Sequence, residues 1–123
     1  MILEAMCQAS PSWMQRMEAA GTPIYEYDEE WPVTIEVKNH SDSFVEARVL
    51  TKGSELHLFV IKCSQGYKLQ WRDQKWTQPI DRLNDFTNDS ALEKANQSWD
   101  PFAVQSIATA VRKIGESFTA LKD

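Results

Sequence analysis

Proton transfer, nucleophilic attack and metal binding need histidine, cysteine or clustered carboxylates, and this chain offers few of them. His40 lies in an NHSD turn, and His57 alternates with apolar residues in a strand-like run. A thiol nucleophile, Cys7 or Cys63, needs a histidine base beside it and a third group to orient that base. No spacing in the sequence supplies such a set. Cys63 ends an apolar run, where a small thiol commonly packs. The two His and two Cys at 7, 40, 57 and 63 also lack the close ligand pairs of a zinc site.

Asp81, Asp85 and Asp89 recur every four residues, but the alternating ligands and glycine of a calcium loop are missing. Acids at a helix start more commonly complement the helix dipole. The glycines at 21, 53, 66 and 115 form no phosphate-binding loop. The expectation is a protein that is not an enzyme, with no catalytic residues, no metal and no cofactor.

Two clusters remain. The first is Tyr25-Glu26-Tyr27-Asp28-Glu29-Glu30-Trp31, four carboxylates interleaved and flanked by aromatics. Aromatic side chains supply contact area at low entropy cost, and carboxylates steer and pair with a cationic surface. The bland reading is a solvated connector whose aromatics tuck against the fold. The second cluster is Tyr67, Trp71, Arg72 and Trp76, an aromatic and basic strand surface able to stack on a partner or line a cavity.

Charge supports the first cluster. The net charge is −5, and residues 1–31 alone carry −5, with Arg16 their single basic side chain. Residues 32–78 carry +2 and residues 79–123 carry −2. An acidic chain is poorly suited to nucleic acid, where Lys and Arg must neutralise phosphates. No apolar run reaches the ~18 residues of a membrane span. The start, MILEAMCQAS, lacks the basic and long apolar regions of a signal peptide. Two isolated cysteines read as reduced thiols, so a cytoplasmic protein is expected, either a monomer or a homodimer.

The elements that must position these residues are legible by period. Strands alternate with period two: VTIEVK, FVEARVLT, LHLFVIK, YKLQWR and KWTQ. LHLFVIK is apolar on both faces, which predicts a central strand at least partly covered on both sides. Ser10 and Pro11 mark a helix start, with Gly21 past its end. Residues 2–9 read as a helical turn or a frayed start. Short helices are expected near 80–86 and 90–97. Asp100 and Pro101 open the last helix, in which Val104, Ile107, Val111, Ile114, Phe118 and Leu121 form one stripe over 101–121.

The expected architecture is one α+β domain over 1–123. It consists of a four- to five-stranded antiparallel meander, an N-terminal helix and a long C-terminal amphipathic helix on one face. The expected function is non-enzymatic protein binding: a small acidic inhibitor of a basic protein, of immunity or antitoxin type, for example against a toxin nuclease. Its surface would be 25–31. A binder of a small apolar ligand in a Trp-lined cavity, or a secretion-type chaperone, is the alternative. If the last helix forms the core rather than a dimer seam, Ile114→Asp will abolish the cooperative circular-dichroism melt; a folded variant that only loses a dimer would contradict this.

Overall fold

The computed structural model describes residues 1–21, 30–71, 74–80, 82–95 and 100–118, with 74–79 described by backbone alone. Six strands form one antiparallel sheet in chain order: β1 (Ile2–Gln8), β2 (Glu30–His40), β3 (Phe44–Thr51), β4 (Ser54–Cys63), β5 (Gly66–Trp71) and β6 (Gln74–Ile80). Helix α1 (Pro11–Ala19) lies between β1 and β2 in the chain. A 3-10 turn (Leu83–Asp85), α2 (Asn88–Lys94) and α3 (Pro101–Ser117) follow the sheet. The α+β class and the meander with a long C-terminal helix on one face are as expected. No described helix is long and apolar enough to cross a membrane.

Period-two alternation places each strand's inner side chains. Trp31, Val33 and Ile35 of β2, Val45, Ala47 and Val49 of β3, and Leu56, Leu58 and Val60 of β4 are all buried against the helical layer. The β3–β4 hairpin closes with Lys52 and Gly53 between the paired Thr51 and Ser54. Both turn residues have positive φ, 26° and 77°, as right-twisted strands require of a two-residue loop. Gly66 at φ 110° has a second constraint: a Cβ there would lie 2.6 Å from the Ile80 carbonyl oxygen of β6.

Three expectations need correction and a fourth is sharpened. Residues 2–8 are a sheet strand, not a helical turn: Leu3 faces Ile35 and Ala5 faces Val33 across β1–β2. Ile2 and Met6 lie on its solvent face, so both faces carry apolar residues and the alternation is hidden among good helix formers. The sheet therefore has six strands rather than four or five. Secondly, β4 is fully covered on one side and only in part on the other, where Phe59 is half-buried and Ile61 exposed. Thirdly, the helix expected at 80–86 is only the 3-10 turn. Fourthly, the one expected at 90–97 is α2, starting at Asn88 with Thr87 as N-cap.

Helix α3 is more deeply set than its stripe predicts. Val104, Ile107, Val111 and Ile114 are buried, and so are Ala103, Gln105, Ser106, Ala108, Thr109, Ala110 and Gly115. The sheet covers one side while α2 and the 3-10 turn cover much of the other. Small side chains allow that approach. A Cβ on Gly115 would meet the Leu83 Cβ at 2.8 Å. Leu121 lies outside the described residues. Overpacking this contact should tell: Gly115→Val is expected to lower stability by about 1–3 kcal/mol in urea unfolding, and an unchanged midpoint would show that the 3-10 turn yields freely.

Candidate functional site

Of the acidic–aromatic run, Tyr25, Glu26, Tyr27, Asp28 and Glu29 lie outside the described residues. Its last two members open β2. Trp31 is not a contact residue but an anchor, 1% exposed in the core. Its indole Nε1 donates to Ser106 Oγ at 2.7 Å. Ser106 Oγ donates in turn to the Phe102 carbonyl at 2.8 Å. One hydroxyl has one proton and two lone pairs, so Thr51 Oγ1, 2.8 Å away, must be a donor to Ser106. Phe102 packs edge-on to Trp31 at 4.8 Å and to Trp13 at 5.3 Å. The Lys52 ammonium sits 4.5 Å over the Phe102 ring. The C-terminal end of the acidic run is thus fastened to a buried, fully bonded framework.

Glu30 faces outward beside β1, where Gln8 Nε2 donates to its carboxylate at 2.9 Å. The register continues this surface along the two strands: Met6 opposite Pro32, Glu4 opposite Thr34, Ile2 opposite Glu36. Ile2 is 64% and Met6 57% exposed. Neither Glu4 nor Glu30 forms an ion pair with a described residue. Glu36 differs: Arg48 Nε donates to it at 2.9 Å, and Lys38 lies 3.6 Å away. Arg48 also donates to Glu55 at 2.8 Å. The Arg48 guanidinium holds the Glu36 carboxyl below its ordinary range. The outer margin of β1–β2 is thus apolar and acidic, and its charge is compensated only towards β3.

The residues able to do chemistry are kept apart. His57, on the open face of β4, shares a 2.8 Å hydrogen bond with Glu46 and leans on Phe59. Glu46 also accepts from Asn39 Nδ2. His40 packs against Phe118. Cys7 lies on the opposite, inner face, and burial raises its thiol pKa. Cys63 shares the strand and face of His57, but six residues of extended chain separate them by about 20 Å. No group of three or more His, Cys, Asp or Glu able to hold a metal occurs among the described residues.

The aspartate series also divides, with Asp81 outside the described residues, Asp85 in the 3-10 turn and Asp89 in the first turn of α2. Asp89 accepts hydrogen bonds from the Ser10 and Ser12 hydroxyls, tying α2 to the N-terminus of α1. It borders an open cleft of about 430 Å³ lined by Met6, Gln8, Ser10, Asn88 and Arg112, among others. Arg112 donates there to the Phe86 carbonyl at 2.7 Å and to Asn88 Oδ1 at 3.0 Å. Burial lowers its pKa. Sequence reasoning missed Gln105 and Arg112, whose only signal is a polar residue bordering an apolar stripe.

The second cluster needs correction as a surface. Tyr67 and Trp71 are each 1% exposed and point into the core, because their strand turns those positions toward the helices. Arg72 and the Trp76 side chain lie outside the described residues. Trp71 packs against Phe86, and its buried Nε1 has no hydrogen-bond acceptor among the described residues. No protein-family model, no curated protein and no solved structure matches this chain.

The hydroxyls of Ser10 and Ser12 hold the Asp89 carboxyl below its ordinary range. A depressed folded-state pKa gives stability above the unfolded value and loses it as pH falls toward the folded one. Asp89→Asn should therefore melt lower than wild type at pH 7, with the gap closing as pH falls below about 4, the unfolded-state value. A gap independent of pH would remove the charge from the contact.

Proposed function

We propose that this chain is a non-enzymatic protein-binding protein, an inhibitor of immunity or antitoxin type that engages a basic protein partner. The observation that supports it is the outer margin of β1–β2. There the exposed carboxylates Glu30 and Glu4, neither in an ion pair with a described residue, alternate with exposed Met6 and Ile2. This margin begins at Glu30, where the acidic run of the sequence ends, beside the buried anchor Trp31. Uncompensated carboxylates steer a cationic partner and restrict which partners dock, while apolar side chains between them supply contact area. A toxin nuclease, whose substrate demands a cationic groove, is a partner of the required chemistry.

A second reading, a binder of a small apolar ligand, rests on one atom. The buried Trp71 Nε1 is a donor without a described acceptor, and a buried unpaired donor costs about 1–3 kcal/mol. A ligand carbonyl would satisfy it.

Capture from native lysate separates the two. Wild type is compared with a folded variant carrying Glu26→Gln, Asp28→Asn, Glu29→Gln and Glu30→Gln. A basic protein held by wild type, released by raised salt and lost in the variant is the expected result. A neutral or acidic partner, or equal capture by both, overturns the acidic-surface reading. No capture, together with a melting temperature raised by an apolar carbonyl compound, would move the function to the core.

A further inference from the structure

We infer that β1 is a homodimerisation edge, pairing antiparallel with β1 of a second copy so that two sheets become one. The backbone sets the geometry. Val37 N–H donates to the Met1 carbonyl at 2.9 Å, one residue beyond the Ile2–Glu36 pair that opens the β1–β2 register. Alternation then turns Leu3, Ala5 and Cys7 toward β2, and turns the N–H and C=O groups of Ile2, Glu4, Met6 and Gln8 outward. The Gln8 carbonyl agrees, since it accepts from the Asn88 side chain at 2.6 Å across the outer edge. No such partner is present for Ile2, Glu4 or Met6 among the described residues.

Sheet edges are ordinarily protected by lysine, proline, a bulge or a covering element. At the other margin β6 carries Lys75 and Pro79. In contrast, β1 has neither residue, and its register with β2 runs without a shift. Of the four exposed large hydrophobics among the described residues, Met1, Ile2, Met6 and Ile61, three belong to β1 or the residue before it. Open backbone groups and exposed apolar side chains thus coincide on one strand.

Charge selects the register and the occupant. A two-fold axis through Glu4 would set two carboxylates directly opposite each other, which is unfavourable. An axis through Ala5 places Glu4 of each copy opposite Met6 of the other, and Ile2 opposite Gln8. The strand is then complementary to itself. Ile2, Glu4 and Met6 stay on the open face, so the pairing doubles the acidic margin rather than hiding it. The inference does not depend on the proposed function, because its test reads mass alone.

A pairing of this length buries less than a standard interface of about 1,200–2,000 Å², so a dissociation constant near 10 µM, to an order of magnitude, is expected. Sedimentation equilibrium from about 1 to 300 µM should show wild type passing from monomer to dimer. Met6→Glu, which sets like charges across the axis, should weaken the dimer about tenfold. Adding Glu4→Lys to that variant should restore it, since each lysine then faces a glutamate. Both positions are exposed, and circular dichroism checks that each variant is folded. A wild type monomeric throughout, a dimer indifferent to Met6→Glu, or a failed rescue overturns the proposal. A monomeric wild type that takes up a synthetic peptide of residues 2–8 assigns the edge to a different chain and overturns it equally.

Discussion

A helix buried on nearly every side cannot carry an unbonded polar group without a cost of about 1–3 kcal/mol for each. Helix α3 meets that constraint by making Gln105, Ser106 and Arg112 ties to other elements. Gln105 accepts the Ser10 N–H at 2.7 Å and so fixes the start of α1. Ser106 gathers Trp31 of β2 and Thr51 of β3. Arg112, half-buried, holds the Phe86 carbonyl and Asn88, and with them the entry to α2. Apolar burial drives α3 into the sheet, but these bonds decide where along it each neighbour sits. Trp31, the last residue of the acidic–aromatic run, is fixed by one of them, through Ser106.

Two electrostatic regimes share the outer face of the sheet. Across β2, β3 and β4, Arg48 lies between Glu36 and Glu55 at neighbouring strand positions. Exposed pairs of this kind add little stability, but they leave the middle of the face locally balanced. At the β1–β2 margin no described cation answers Glu4 or Glu30. The charge of the face is therefore graded rather than uniform, balanced at its middle and uncompensated by described residues at the β1–β2 margin.

The sequence was most legible where structure is local. Ser10 and Asp100 cap their helices through bonds to Trp13 N and Phe102 N, only two or three residues away. The alternation of β2, β3 and β5 translates directly into which side chains are buried. Strand β1 was illegible because its partner lies beyond α1 in the chain, and because Ile2 and Met6 make its solvent face apolar. Tyr67 and Trp71 looked like contact residues by type, but strand parity, not type, decides which way they point. Gln105 and Ser106 were invisible for a related reason: their burial depends on elements packing both sides of α3, and one helix's periodicity reports only one side. The candidate surface was legible only in part: Glu30 and the charge bias read directly, while Glu4 and Met6 required β1 to be a strand.

The order of the strands has a further consequence, for how this chain acquires its structure. Every strand pairs with its neighbour in the chain, from β1 to β6. From β2 to β6 these pairings are close in sequence, cost little loop entropy and can close as hairpins one after another, whereas β1 reaches β2 across α1. The helix that covers them, the 17 residues from Pro101 to Ser117, follows all six strands in the chain. As the chain leaves the ribosome, the whole meander emerges before its lid. The inner face, with Trp31, Trp71 and the β-branched rows beside them, must wait uncovered for α3. That interval, rather than any property of the finished fold, is when this protein is most exposed to aggregation and most dependent on whatever shields nascent chains.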